Sequence, residues 1–121
     1  MMSDKLAFLK NSGFDIDSGL SYLGDEVMYN EILLDFKNNF INQMNEIKQT
    51  YENKDYPNYV ILVHALKSNC RTLGINSLAD LAYSHEMKGK ENDYNYISEH
   101  INELFLKANE IYQIIDSYFK L

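Results

Sequence analysis

The sequence predicts an all-α fold: an antiparallel up-and-down four-helix bundle preceded by a short N-terminal helical cap. Three observations point there. One proline and five glycines in 121 residues leave few places for a sharp turn. Apolar residues recur at the 3.6-residue helical period through most of the chain, and the breaks between these stretches are short, which favours antiparallel neighbours.

Asp4 to Lys10 reads as a short helix ended by Asn11-Ser12-Gly13, with Phe14 and Ile16 in an apolar loop that closes one end of the bundle. Asp17 to Leu23 reads as a brief helical turn, with Gly24 in a left-handed position at its end and Asp25 capping the next helix. From about Glu26 to Gln49, the residues Val27, Ile32, Leu34, Phe36, Phe40, Ile41, Met44 and Ile47 form a wide apolar stripe on a long amphipathic helix. Pro57 lacks a backbone N–H, which the first helical turn tolerates, so the next helix starts near Asp55 to Asn58 and runs to about Leu73, with Gly74 as its stop. A third long helix spans Ile75 or Asn76 to Lys88, carries Leu78, Leu81, Ala82 and Met87, and ends at Gly89. The fourth starts near Asp93 and carries Tyr94, Ile97, Ile101, Leu104, Phe105, Ala108, Ile111, Ile114, Ile115 and Tyr118. No repeat, linker or low-complexity tract divides residues 1–121, so they are expected to form a single domain with its bundle core at about 26–118.

Composition narrows the function. Apolar and aromatic residues make up 45% of the chain, too many for a disordered tail. The single cysteine cannot form an internal disulfide, so apolar packing must supply the stability. Eleven Lys and Arg against eighteen Asp and Glu give a net charge of −7, with the cations spread along the chain, which argues against nucleic acid and anionic membranes as partners. The ten tyrosines do not reverse this, because Tyr59, Tyr94 and Tyr112 recur at core spacing. No apolar run is long enough to span a membrane, and Met-Met-Ser-Asp-Lys lacks the pattern of a secretory leader. A soluble, cytoplasmic monomer is expected, with Met1-Met2 close to an initiator.

The informative helix is Pro57 to Gly74. At about 100° per residue, Tyr59, Leu62, Val63, Leu66, Asn69, Cys70 and Leu73 fall on one side. His64, Lys67, Ser68 and Arg71 share the other, so the imidazole is expected to face water with two cations further along the helix and only a serine-sized neighbour beside it. A lone exposed histidine is most often a plain surface residue. Here Val60 and Ile61 extend an apolar rim around it, the makeup of a protein-docking patch. Cys70 reads as a small buried hydrophobe, and Asn69 and Thr72 as structural. His85-Glu86 and Glu99-His100 lack the Glu-x-x-His spacing of a bundle-core metal pair, so no metal site is assigned. No phosphate-binding glycine loop, Gly-x-Ser-x-Gly or His-Glu-x-x-His motif is present, so autokinase activity is not expected.

His64-Ala-Leu-Lys67-Ser68, with Gly74 ten residues after the histidine, resembles the signature of histidine-containing phosphotransfer domains, the phosphorelay modules of two-component signalling. The likeness extends upstream through Gly19-Leu20, Leu23-Gly24-Asp25-Glu26, Tyr29, Leu33-Leu34 and Phe36, and downstream from Leu78 to Glu86, covering about Phe14 to Ile115. Ser68 departs from the glycine more usual in the family, but is still small. The resemblance implies that His64 accepts a phosphoryl group from a receiver-domain aspartate or a kinase and passes it to a receiver aspartate. It implies charge stabilisation by Lys67 and, less directly, Arg71, with Ser68 leaving access and Val60 and Ile61 meeting the partner. Gly74 is then structural, as the helix stop. The expected partners are a response-regulator receiver domain, a hybrid histidine kinase, or both. No cofactor is expected in this chain, with Mg2+ in the receiver's acidic pocket. The alternative from another class is a catalytically silent helical adaptor binding a receiver or other signalling protein through the His64 face.

Overall fold

In the computed structural model, which describes residues 3–121, the chain forms six helices and, among the described residues, no strand: α1 (Asp4–Asn11), α2 (Ile16–Leu23), α3 (Glu26–Glu52), α4 (Tyr56–Leu73), α5 (Asn76–Lys90) and α6 (Tyr94–Phe119). Met1 and Met2, expected close to an initiator, lie outside the described residues. No described helix is long and apolar enough to cross a membrane.

Side chains set the helix boundaries. Asp15, Asp25, Asp55 and Asp93 each accept a hydrogen bond from the backbone N–H three residues on, satisfying a donor that the first turn cannot, and Ser3 does the same for α1. At the end of α4, Gly74 takes the left-handed conformation (φ 77°), its N–H donates to Arg71 O, and the N–H of Ile75 donates to Cys70 O. This is the Schellman arrangement, with the buried Ile75 supplying its apolar contact. The same pattern ends α3 at Lys54 (φ 56°) and α5 at Asn92 (φ 59°), and in both cases the next residue is the aspartate that caps the following helix. The chain therefore reverses within a few residues at each of these junctions.

The four long helices pack in a closed ring, α3 on α4, α4 on α5, α5 on α6 and α6 back on α3, while α1 rests on α6 and α2 on α3 and α4. Tyr29, Leu33, Tyr59, Val63, Leu66, Leu78, Ile97, Leu104 and Tyr118 are fully withdrawn from solvent at its centre. Two buried phenols tie its end: Tyr29 Oη donates to Leu73 O at 2.7 Å, and Tyr118 Oη donates to Asn30 Oδ1.

Several sequence expectations are corrected. The core face of α3 holds Tyr29, Leu33, Phe36, Phe40, Met44 and Ile47, whereas Val27, Leu34 and Ile41 are exposed. Those three are seven residues apart and so form a separate line on the helix surface; a wide stripe drawn from polarity alone merges the two lines. The helix also runs three residues past Gln49, to Glu52. Gly89 does not end α5 but lies inside it, buried. A Cβ there would stand 2.4 Å from Val60 Cγ2, so the missing side chain is what lets α4 approach. Tyr94, placed with the core residues, is 37% exposed and stacks on Tyr56 with ring centroids 3.8 Å apart.

Candidate functional site

His64 stands on the outer side of α4 with its side chain 55% exposed. The core residues Val63 and Leu66 bracket it in sequence, so burial of the α4 stripe turns the imidazole outward. Its Nδ1 lies 2.6 Å from Glu86 Oε2 on α5. Glu86 is 2% exposed and carries three partners: His64, Lys67 Nζ at 2.6 Å on Oε1, and Lys90 Nζ at 3.0 Å on Oε2.

A buried carboxylate is tolerable only when paired and hydrogen-bonded. Burial pushes the Glu86 carboxyl upward, but hydrogen bonds from Lys67, Lys90 and His64 outweigh it and hold the group at about 2. Glu86 is thus an anion under all ordinary conditions, and an anionic carboxylate only accepts. Nδ1 of His64 must then be the donor, which fixes the tautomer and leaves the lone pair of the neutral ring on Nε2. Nε2 has no hydrogen-bond partner among the described residues. Lys67 Nζ also approaches Nδ1, at 3.3 Å, but two donors cannot bond one another, so it acts there as a nearby charge. Its ammonium also lies 5.3 Å from the Tyr83 ring centroid. Two lysines against one carboxylate leave a local positive charge beside His64, in a chain whose net charge is −7.

The other sequence-selected residues separate. Ser68 is exposed one turn beyond His64 and keeps that side of the ring open. Arg71 lies about 10 Å further along the axis and is held by Asp80 at 3.3 Å in a solvent-exposed pair. It therefore does not join the His64 cluster, and such a pair contributes little. Ile61 is 63% exposed, as a rim residue would be, whereas Val60 is half-buried against Gly89. Asn69, expected on the inner side, is exposed. Cys70 is buried, and burial pushes its thiol far up, away from the reactive thiolate. No group of three or more His, Cys, Asp or Glu is arranged for a metal ion among the described residues.

Glu86 and Lys90 are the site residues that sequence reasoning missed. Leu78, Ala79, Ala82, His85, Glu86 and Gly89 share the buried side of α5. A carboxylate at a core position of an amphipathic helix demands a cationic partner, and that is the signal that could have found it. No protein-family model matches this chain, and neither the curated proteins nor the solved structures provide a significant match.

Proposed function

We propose that the protein is a phosphoryl carrier of a phosphorelay, with Nε2 of His64 as the acceptor. The observation that carries this reading is the buried Glu86 bound to Nδ1 of an exposed histidine, which leaves Nε2 as the nucleophile. In the forward step the Nε2 lone pair attacks the phosphorus of a receiver aspartyl phosphate. The N–P bond forms as the P–O bond to the aspartate breaks, and the carboxylate leaves with the electron pair. The ring acquires positive charge, which Glu86 balances through the Nδ1 proton. In the reverse step an aspartate oxygen of a second receiver attacks, and Nε2 recovers its lone pair.

Such a transfer needs positioning and charge compensation more than covalent help from the carrier. Lys67 and Lys90 supply positive charge beside the ring, and Ser68 leaves room for the incoming aspartate. The architecture we propose for α3–α6 is the antiparallel up-and-down four-helix bundle. It is supported by contacts that pair the start of one helix with the end of its neighbour, such as Tyr29 with Leu73 and Asn30 with Tyr118, and by Tyr51 at the end of α3 with Tyr59 at the start of α4. The partners are a receiver domain holding its own Mg2+ and, upstream, a hybrid kinase.

Incubation with a phosphorylated receiver should place an acid-labile phosphate on the wild type and none on H64Q. If no label forms while the receiver still binds, the carrier reading falls and the silent adaptor takes its place. K67A should slow transfer about tenfold with little change in receiver affinity. An equal loss in both would make Lys67 an interface residue only.

A further inference from the structure

The residue before Glu86 is a second, buried histidine. His85 is 1% exposed, and its Nδ1 lies 2.8 Å from Oη of Tyr59, which is also fully buried. No described buried side-chain nitrogen or oxygen lacks a partner, and Tyr59 Oη has no other hydrogen-bond partner among the described residues. With the phenol donating, the imidazole accepts as a neutral ring. A charged His85 would instead carry a proton on Nδ1 that can only donate to Oη, leaving the phenol proton with no acceptor among the described residues and a cation buried in the core.

The carboxylates around it are already engaged by other groups. From α4 the ring meets Tyr59, centroids 6.1 Å apart, with Tyr51 of α3 behind it at 6.4 Å. From α6 it meets the edge of Tyr96 at 5.8 Å. Tyr96 stacks on His100, which is engaged with Glu103 at 3.4 Å on the exposed side, and Lys88 lies 5.5 Å from the Tyr96 centroid. Glu86, next in α5, is already occupied by His64, Lys67 and Lys90.

We propose that the Tyr59–His85 bond is a latch that holds α5 in the register placing Glu86 against His64, so that acidification, by charging His85, opens the latch and releases Nδ1 of His64. Tyr59 and His64 share α4, while His85 and Glu86 are consecutive in α5; the two bonds therefore cross one helix seam, and α5 cannot leave the first without straining the second. Burial pushes His85 down to about 4, with the His100 backbone and Glu103 partly opposing and the His100 charge adding to it. The closed state thus excludes the proton that an opened His85 accepts at its ordinary pKa. Below that value opening becomes progressively easier, and the latch is fully held only above it. The functional consequence, loss of a competent acceptor in acid, rests on the carrier reading; the latch itself does not.

The test is NMR on the full chain labelled with 15N-histidine. It follows backbone hydrogen exchange around Glu86 together with the His64 Nδ1 signal from pH 7.5 to 5.0. In the wild type the opening constant, corrected for intrinsic exchange, should rise about 30-fold over this range. In H85Q, whose amide can still accept from Tyr59, it should stay within about threefold. H85Q keeps His64 and Glu86 unchanged, so a difference between the two proteins isolates His85. Y59F, which keeps the ring and loses the bond, should open about fivefold more readily already at pH 7.5. The latch is overturned if the wild type is flat, if H85Q follows the wild type, or if opening leaves the His64 Nδ1 signal unchanged. Should H85Q fail to fold, the wild-type profile and Y59F decide alone. No phosphate enters these readouts, so a working latch in a protein that never labels would overturn only the carrier reading.

Discussion

Replacing Glu86 with alanine is expected to cost about 3 kcal/mol in urea unfolding and, under the proposed carrier function, to slow phosphoryl transfer at His64 by about 10- to 100-fold. Both losses have one cause. Lys67 is only 16% exposed and is held by Glu86, so removing the carboxylate strands a half-sequestered ammonium, and Lys90 loses the same partner. His64 meanwhile loses the acceptor that fixes its tautomer and that, in the proposed transfer, would balance the phosphorylated ring. E86Q keeps an acceptor but no charge, and should fall between wild type and E86A in both measurements.

The pH dependence of this effect has a definite sign. The folded state holds Glu86 at about 2, below its ordinary 4.5, so across that interval the unfolded chain binds more protons and stability rises with pH. The contribution is complete above about 4.5 and is lost as pH falls toward 2. The acid limb of the wild-type stability curve should therefore be steeper than that of E86A. Equal slopes would mean that Glu86 is not held as an anion by its three partners. The His85 contribution is separable because it lies at higher pH, between its ordinary 6.5 and about 4.

The second large effect is structural. Gly74→Ala should destabilise the fold by about 3 kcal/mol or more, measured in urea. Two costs combine: a left-handed φ of 77°, and a Cβ that would stand 2.1 Å from Asp15 O in the turn entering α2. The backbones are joined there as well, with Asp15 N–H donating to Gly74 O at 2.9 Å, so neither can move aside cheaply. Gly24 separates the two costs. It has φ 94° with open space where a Cβ would go, so Gly24→Ala should show the backbone cost alone, about 1–2 kcal/mol. Gly74→Asn adds a further check: asparagine tolerates the left-handed region but keeps the Cβ, so it should be nearly as damaging as alanine. If it is benign, the close approach to Asp15 is not the reason for glycine.

How far the site could be read from the chain differs residue by residue. The outward position of His64 follows from the apolar stripe of its own helix, because Tyr59, Val63, Leu66 and Cys70 claim the inner side. Lys67 was legible as a neighbour, but its commitment to Glu86 was not. Arg71 shares the helix face with His64, yet it is drawn to Asp80, because α5 places a carboxylate within its reach. The rim around His64 was half legible: Ile61 is exposed, but Val60 is taken up by the gap at Gly89. Gly89 itself reads as a helix stop when only local propensity is weighed, whereas its use is to admit a side chain from another helix.

Sequence by itself determined the helical class, most of the breaks, and the direction of the His64 side chain, because all three depend on interactions within a few residues: backbone periodicity, caps and the polarity of one helix surface. Only the tertiary structure decided which residues complete the site. Glu86 meets His64 across 22 residues of chain, and whether it does so depends on the axial offset and rotation of α5 against α4. Those are set by the close approach of Val60 to Gly89 and by the buried Tyr59–His85 bond. A pattern of apolar and polar residues says which side of a helix is buried, but not which residue of the neighbouring helix it will face.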